Sequence, residues 1–215
     1  MSETERDISS ISSRQKVYQY IKDCITSLSL RPGDMIHERD LAQTLGMSRT
    51  PVREALQSLQ DEGWLTVIPR KGYVVCSLSK TEIEEVLQLR IIVGTAGIRL
   101  SVGRTSPAAI AHLKALVAQQ EAAIAVCDYA KFIEIDMLLH IAMVQLAGNR
   151  RLSSIAEALL DTFQRVGLEA IRGKREFSEP LAEHKRIIAA LEEGDGVTAE
   201  RLLVEHIEFT RQALL

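Results

Sequence analysis

Residues 46–63, GMSRTPVREALQSLQDEG, set an apolar stripe and a basic stripe side by side on one short helix, and the rest of the chain has to accommodate both. Val52, Leu56, Leu59 and Gly63 recur at helical spacing and predict an inward face, while Arg49, Arg53, Gln57 and Gln60 form a polar stripe beside it. Arg and Gln carry paired donors and acceptors that match base edges in a major groove, so the polar stripe points to DNA. Ser48 or Thr50 is placed to cap this helix, and Pro51 fits because it falls in the first turn. Taken alone, the segment also fits an ordinary amphipathic surface helix; its neighbours decide.

Upstream, Val17, Tyr20, Ile21, Cys24, Ile25 and Leu28 mark one face of a first helix, which Arg31, Pro32, Gly33 and Asp34 end in a turn. A second helix over 38–45 buries Leu41, Ala42 and Leu45, and the Gly46 turn then delivers the arginine-bearing helix, which makes a helix-turn-helix. After Gly63 the period shortens: WLTVI at 64–68 and YVVC at 73–76 flank a PRKG turn and predict a β-hairpin. Arg70 and Lys71 at its tip cannot pack inward, so their charge can meet a phosphate or enter a minor groove. In that position the hairpin reads as the wing of a winged helix. Residues 1–13, Ser-rich and charged without an apolar period, read as a flexible arm.

Bulk charge does not advertise a nucleic-acid partner. The net charge is −3, and the first 78 residues balance their basic against their acidic side chains, so a basic patch has to come from placement. No apolar run approaches the roughly 18 residues of a membrane helix, and no leader pattern opens the chain, which predicts a cytoplasmic protein without a membrane partner. Cys24, Cys76 and Cys127 are too scattered for a disulfide framework or a metal knuckle and read as reduced and structural.

Residues 77–80 form a short linker, and 81–215 carry helical signals throughout. Ser79 and Glu82 have capping-box spacing, and Ile83, Leu87, Arg90, Gly94 and Gly97 share one stripe of the helix that follows. The two glycines would leave room beside Arg90 for an anionic ligand gripped through two hydrogen bonds; a local ion pair is the alternative. Further helices are expected from Ser106-Pro107 to about 126, from Asp128 to Gly148, from 150 to 172, from Ser178 to Gly194, and from Asp195 nearly to the end. The fold class is therefore mainly α: a winged helix-turn-helix over 14–76 joined to an all-helical bundle of about six helices over 81–215.

Asp136 and His140, four apart, project from one helical face together with Phe132, Leu139 and Met143. His184 lies on the stripe of Leu181, Ile187, Ile188 and Leu191, and His206 on that of Leu202, Leu203 and Phe209. Each histidine alone would fit a hydrogen-bonded core residue. Four polar groups aimed into an apolar core are costly unless something satisfies them together, and one divalent cation does so. One carboxylate and three imidazoles suit zinc, or nickel or another borderline ion, better than magnesium or calcium.

The run RPGDMIHERDLAQTLGMSRTPVREALQSLQDEGWLTVIPRKGYVV resembles the winged-helix domain of GntR-superfamily transcriptional regulators, whose hallmark includes an S-R-T-P-V-R-E-A-L core. The resemblance implies DNA contacts from Arg39, from Arg49 and Arg53 with Ser48 and Thr50 beside them, and from the wing at Arg70, Lys71 and Gly72. Residues 80–212 resemble the FCD domain of the FadR-like branch, whose metal-binding members carry a D-x-x-x-H and two later histidines, matching Asp136, His140, His184 and His206. Arg90 falls where that family has an arginine able to face the ligand, and Asn149 matches its common Gly-Asn, whereas Gly94 stands where many members have glutamate. The family implies a small carboxylate effector, an organic or sugar acid, beside the metal. The expected protein is a repressor, not an enzyme, that binds an inverted repeat of double-stranded DNA as a homodimer. A metalloenzyme fused to a DNA module, and a constitutive DNA binder with a structural metal, are the alternatives.

Overall fold

The computed structural model describes residues 12–172 and 177–215, and the chain divides into two compact units, Met1–Ser77 and Leu78–Leu215. The expected arm falls outside the described residues as far as residue 11; Ser12 caps the first helix by accepting from the Gln15 amide.

In the first unit, helix α1 (Ser13–Thr26) buries Val17, Ile21 and Ile25, a strict four-residue spacing. Tyr20, expected on that face, is 42% exposed, because a stripe repeating every four residues leaves its i+3 position on the flank. Leu28 lies beyond the helix end with a φ of 61°. Helix α2 (Glu38–Thr44) and helix α3 (Arg49–Asp61) follow, and α3 buries Val52, Ala55, Leu56 and Leu59. Gly63, expected on the same face, lies past the end of α3. The hairpin is present as β2 (Leu65–Ile68) and β3 (Gly72–Val75), with Ile68 opposite Gly72. A further strand, β1 (Met35–Ile36), pairs with β3, giving a three-stranded antiparallel sheet of order β1-β3-β2. Two residues are too few to show alternation, and turn residues precede them, so periodicity could not reveal β1.

Gly72 is the position where β1 presses on the wing. A side chain there would place its Cβ 2.6 Å from the Ile36 carbonyl oxygen, at a φ of 127° that L residues rarely adopt. The packing against β1 thus requires glycine here, at the root of the turn that presents Arg70 and Lys71. Trp64, Leu65 and Tyr73 close the core against α1 and α3.

The second unit holds seven helices among the described residues, one more than expected. They are α4 (Lys80–Ser101), α5 (Pro107–Ala125), α6 (Tyr129–Gln145), α7 (Arg150–Ala158), α8 (Leu160–Arg172), α9 (Ser178–Glu192) and α10 (Gly196–Leu214). The capping box at Ser79 and Glu82 forms, Pro107 opens α5 behind a Ser106 cap, and Asp128 caps α6. The helix expected over 150–172 breaks at Leu159, whose amide bonds to both the Ile155 and the Ala156 carbonyls, a tightened last turn. Neither glycine nor proline marks that break; Leu159 and Leu160 both turn toward the core. α6 is the central element: it buries residues on every side, from Phe132 and Ile133 through Ile135 and Met137 to Leu139 and Ile141. It packs against α4, α5, α7 and α8, while α9 lies against α5 and α10, and α10 against α4.

The two glycines of α4 do not leave room for a ligand. A Cβ at Gly94 would lie 2.8 Å from the Leu203 side chain of α10, and one at Gly97 2.7 Å from the Val144 backbone of α6. Their space is filled by helices packed at close range. None of the described helices is long and apolar enough to cross a membrane. The three cysteines are free, and Cys127, read from sequence as structural, is exposed.

Candidate functional site

Asp136 and His140 rise one turn apart from α6, His184 comes from α9 and His206 from α10, and all four are buried. One ligand atom from each lies within 4.8 Å of the others. The His184 Nε2 is 3.1 Å from the Asp136 Oδ1 and 3.3 Å from the His206 Nε2. The His140 and His206 rings stack at a centroid separation of 5.2 Å. Three helices, α6, α9 and α10, thus bring their imidazoles to one point, as the apolar stripes predict.

That point is short of hydrogen. The His140 Nε2 is buried without a hydrogen-bond partner, 3.9 Å from the Asp136 Oδ1. An orphaned ring nitrogen, two more ring nitrogens and a carboxylate oxygen converging at this range call for a cation between them. A proton can serve one pair; a divalent ion serves all four, and the cluster can hold one.

The electrostatics fit this arrangement. Burial pushes the Asp136 carboxyl upward, but the Arg90 guanidinium and then His140 and His184 outweigh it and hold the carboxyl well below its ordinary range. Burial, followed by the Arg90 charge, holds the His140 imidazole well below its ordinary range, so it stands neutral and ready to coordinate.

A pH dependence follows. In the unfolded chain His140 takes up a proton near pH 6.5, whereas in the folded protein it resists, so unfolding binds protons below about that pH. Metal-free protein should lose stability on acidification from pH 7 to 5, with a slope of up to about 1.4 kcal/mol per pH unit from this group. Asp136, whose folded pKa is depressed, adds a second loss only as pH falls below about 4. Urea titrations of the metal-free protein at pH 7 and 5 read the first effect, which His140→Gln should flatten; a stability that rises on acidification contradicts the assignment.

Arg90 donates from Nη2 to the Asp136 Oδ2 at 2.6 Å, both side chains buried. The arginine expected to grip a free anion is therefore already ion-paired, with a metal-ligand candidate rather than a surface glutamate. Its Nε remains buried without a partner. Asn149 is exposed and caps α7 by accepting from the Arg151 and Leu152 amides at 3.1 and 3.2 Å. Two residues that sequence reasoning missed join the cluster. Gln120, wholly buried on α5, meets the His184 Nδ1 at 3.0 Å and lies 3.4 Å from the Asp136 Oδ1. Glu183 on α9 meets the His206 Nδ1 at 2.7 Å.

In the first unit the polar stripe of α3 is organised by another unforeseen residue, Glu38 at the start of α2. Its carboxylate accepts from the Arg49 Nε at 2.9 Å and from the Arg53 Nε and Nη2 at 3.0 and 3.1 Å. The Arg53 bonds are the main reason its carboxyl is held below the ordinary range. Both arginines remain 63% exposed, so their outer faces can still meet a ligand. Arg39 is 84% exposed and approaches Asp40 only at 3.6 Å. Thr50, Arg70 and Lys71 are exposed, and Ser48 occupies the N-cap of α3 without a side-chain capping bond.

A family model described as the FCD domain matches residues 85–209, and one described as bacterial regulatory proteins, gntR family, matches residues 13–75. The HTH-type transcriptional regulator YdhC of Bacillus subtilis is 25% identical over 190 residues, 88% of this chain and 85% of that protein. The HTH-type transcriptional repressor RspR of Escherichia coli is 25% identical over 194 residues, 90% of this chain and 85% of that one. The solved structure of E. coli McbR/YncC shares the fold, with a TM-score of 0.76 and 24% identity over 95% of this chain and 97% of that one.

Proposed function

The chain belongs to the gntR family of bacterial regulatory proteins, carries that family's pairing with an FCD domain, and is a DNA-binding transcriptional regulator rather than an enzyme; on that premise we propose that it is a homodimeric cytoplasmic repressor whose operator affinity is set by a small carboxylate bound beside a zinc ion. The observation that carries this reading is the convergence of Asp136, His140, His184 and His206 within 4.8 Å, with the His140 Nε2 lacking a partner. Zinc suits three imidazoles and one carboxylate oxygen, and nickel is the nearest competitor.

Charge supports a carboxylate as the effector. A divalent ion beside the buried Arg90–Asp136 ion pair would present positive charge for a carboxylate to meet. Ile92 is 62% exposed and Ile155 51%, and Leu89, Ile92 and Leu100 follow one another along α4, an apolar strip of the kind a second copy covers. A two-fold dimer reads an inverted repeat through Arg49, Arg53 and Arg39, with Ser48, Thr50 and the wing at Arg70, Lys71 and Gly72 on the backbone. Repression is favoured by the likeness to RspR, a transcriptional repressor. The effector acts only in so far as it binds the DNA-competent and DNA-incompetent arrangements with different affinity.

The test is a melting screen of metal-stripped and zinc-reloaded protein against a panel of organic and sugar acids, followed by operator binding with any acid that responds. One acid should raise the melting temperature of the reloaded protein alone and shift its affinity for DNA. An acid that stabilises both forms equally removes the metal from the effector's site, and zinc stabilisation to which no acid adds makes the ion structural.

A further inference from the structure

We infer that Glu183 and Gln120 are the positioning residues of the metal centre, each fixing one histidine with its proton on Nδ1 and its Nε2 lone pair turned inward; the inference rests on the metal reading above. An imidazole can offer Nε2 to a metal only if the ring proton sits on Nδ1. For His206 the partner of Nδ1 is the Glu183 carboxylate at 2.7 Å, and an ionised carboxylate only accepts, so Nδ1 carries the hydrogen.

For His184 the same conclusion takes one more step. Asp136 accepts only, so the Gln120 amide must present its nitrogen to the Asp136 Oδ1 at 3.4 Å. That turns the Gln120 Oε1 toward the His184 Nδ1 at 3.0 Å, which has to donate. The Asp136 charge thus sets the orientation of Gln120, and Gln120 sets the tautomer of His184. The outcome is two Nε2 lone pairs facing each other at 3.3 Å beside a carboxylate oxygen, an arrangement built for a cation.

The two supports differ in kind. Glu183 is charged and lends basicity to His206; Gln120 is neutral and orients without charging. Helix α9 thus supplies two functions from adjacent positions, the support at Glu183 and a candidate ligand at His184.

The experiment uses the full chain, stripped of metal and titrated with zinc against a chromophoric chelator, together with nitrogen NMR of the histidine rings. Glu183→Ala should bind zinc about 10- to 100-fold more weakly than wild type. Glu183→Gln, which keeps an acceptor without the charge, should fall between the two. In the metal-free protein the His206 ring should show the Nδ1–H form and lose it in Glu183→Ala, while Gln120→Leu does the same to His184 without touching His206. Zinc affinity of Glu183→Ala within about threefold of wild type overturns the inference. So does a weakened affinity with unchanged ring signals, which would make Glu183 merely structural. A wild-type protein that takes up neither zinc nor nickel overturns the metal reading instead, and the ring signals of the metal-free form still decide the hydrogen-bond assignment.

Discussion

Replacing His184 by alanine should remove most of the thermal stabilisation that zinc confers on the second unit. Zinc held by four protein ligands has an apparent binding free energy of about 10–16 kcal/mol near neutral pH, so each ligand accounts for about 3 kcal/mol, roughly two orders of magnitude in affinity. At zinc about a thousandfold above its Kd, binding stabilises the wild type by about 4 kcal/mol, which for a unit of this size raises the melting temperature by roughly 8–16 °C. At the same zinc concentration the variant is only about tenfold above its weakened Kd and gains about 1.4 kcal/mol, or roughly 3–6 °C. His184 is the ligand to test because it is wholly buried and makes the shortest approach to the Asp136 oxygen that faces the cluster. His112, exposed on α5, is the control, and its alanine variant should behave as wild type. Equal zinc stabilisation of His184→Ala and wild type would falsify the placement of the ion among these residues.

The ligand candidates were legible because each lies on an apolar stripe of its own helix, and a polar residue on such a stripe has only the core to face. Gln120 was legible in principle, since it continues the buried run of Leu113, Leu116 and Val117 on α5. Glu183 was not: adjacent residues of a helix diverge by about 100°, so a stripe that carries His184 inward gives no signal for its neighbour. Its reach to His206 depends on where α10 docks, which is tertiary information. The same holds for Glu38, whose hold on Arg49 and Arg53 spans 11 and 15 residues and depends on the crossing of α2 and α3. The glycines of α4 show the converse. Periodicity placed Gly94 and Gly97 on the inward face, but a missing side chain does not say what fills its space, and Leu203 and Val144 do.

Arg53→Ala should lower the discrimination between operator and random DNA by a factor of about 5–150, corresponding to the 1–3 kcal/mol that one bidentate base contact supplies. Arg49→Ala should act similarly, whereas Arg70→Ala, on the wing, should weaken both kinds of DNA about equally and reduce the salt dependence of binding. The Glu38 carboxylate makes Arg53 the more informative of the two helix positions. With its side chain only 16% exposed, Glu38 loses two hydrogen bonds when Arg53 is removed and keeps one, from Arg49. The free protein therefore already holds these guanidiniums in place, and the cost of ordering two long side chains on DNA is reduced. Glu38→Gln separates the two contributions: it leaves both arginines able to reach DNA but releases them from the clamp. Its affinity for random DNA should rise, because a negative charge next to the phosphates is gone, while its preference for the operator should fall. Competition titrations of operator and random duplexes at a fixed salt concentration measure the ratio directly. If Arg49→Ala and Arg53→Ala both retain the wild-type ratio, α3 is not the element that reads the bases, and the exposed Arg39 at the start of α2 becomes the next residue to change.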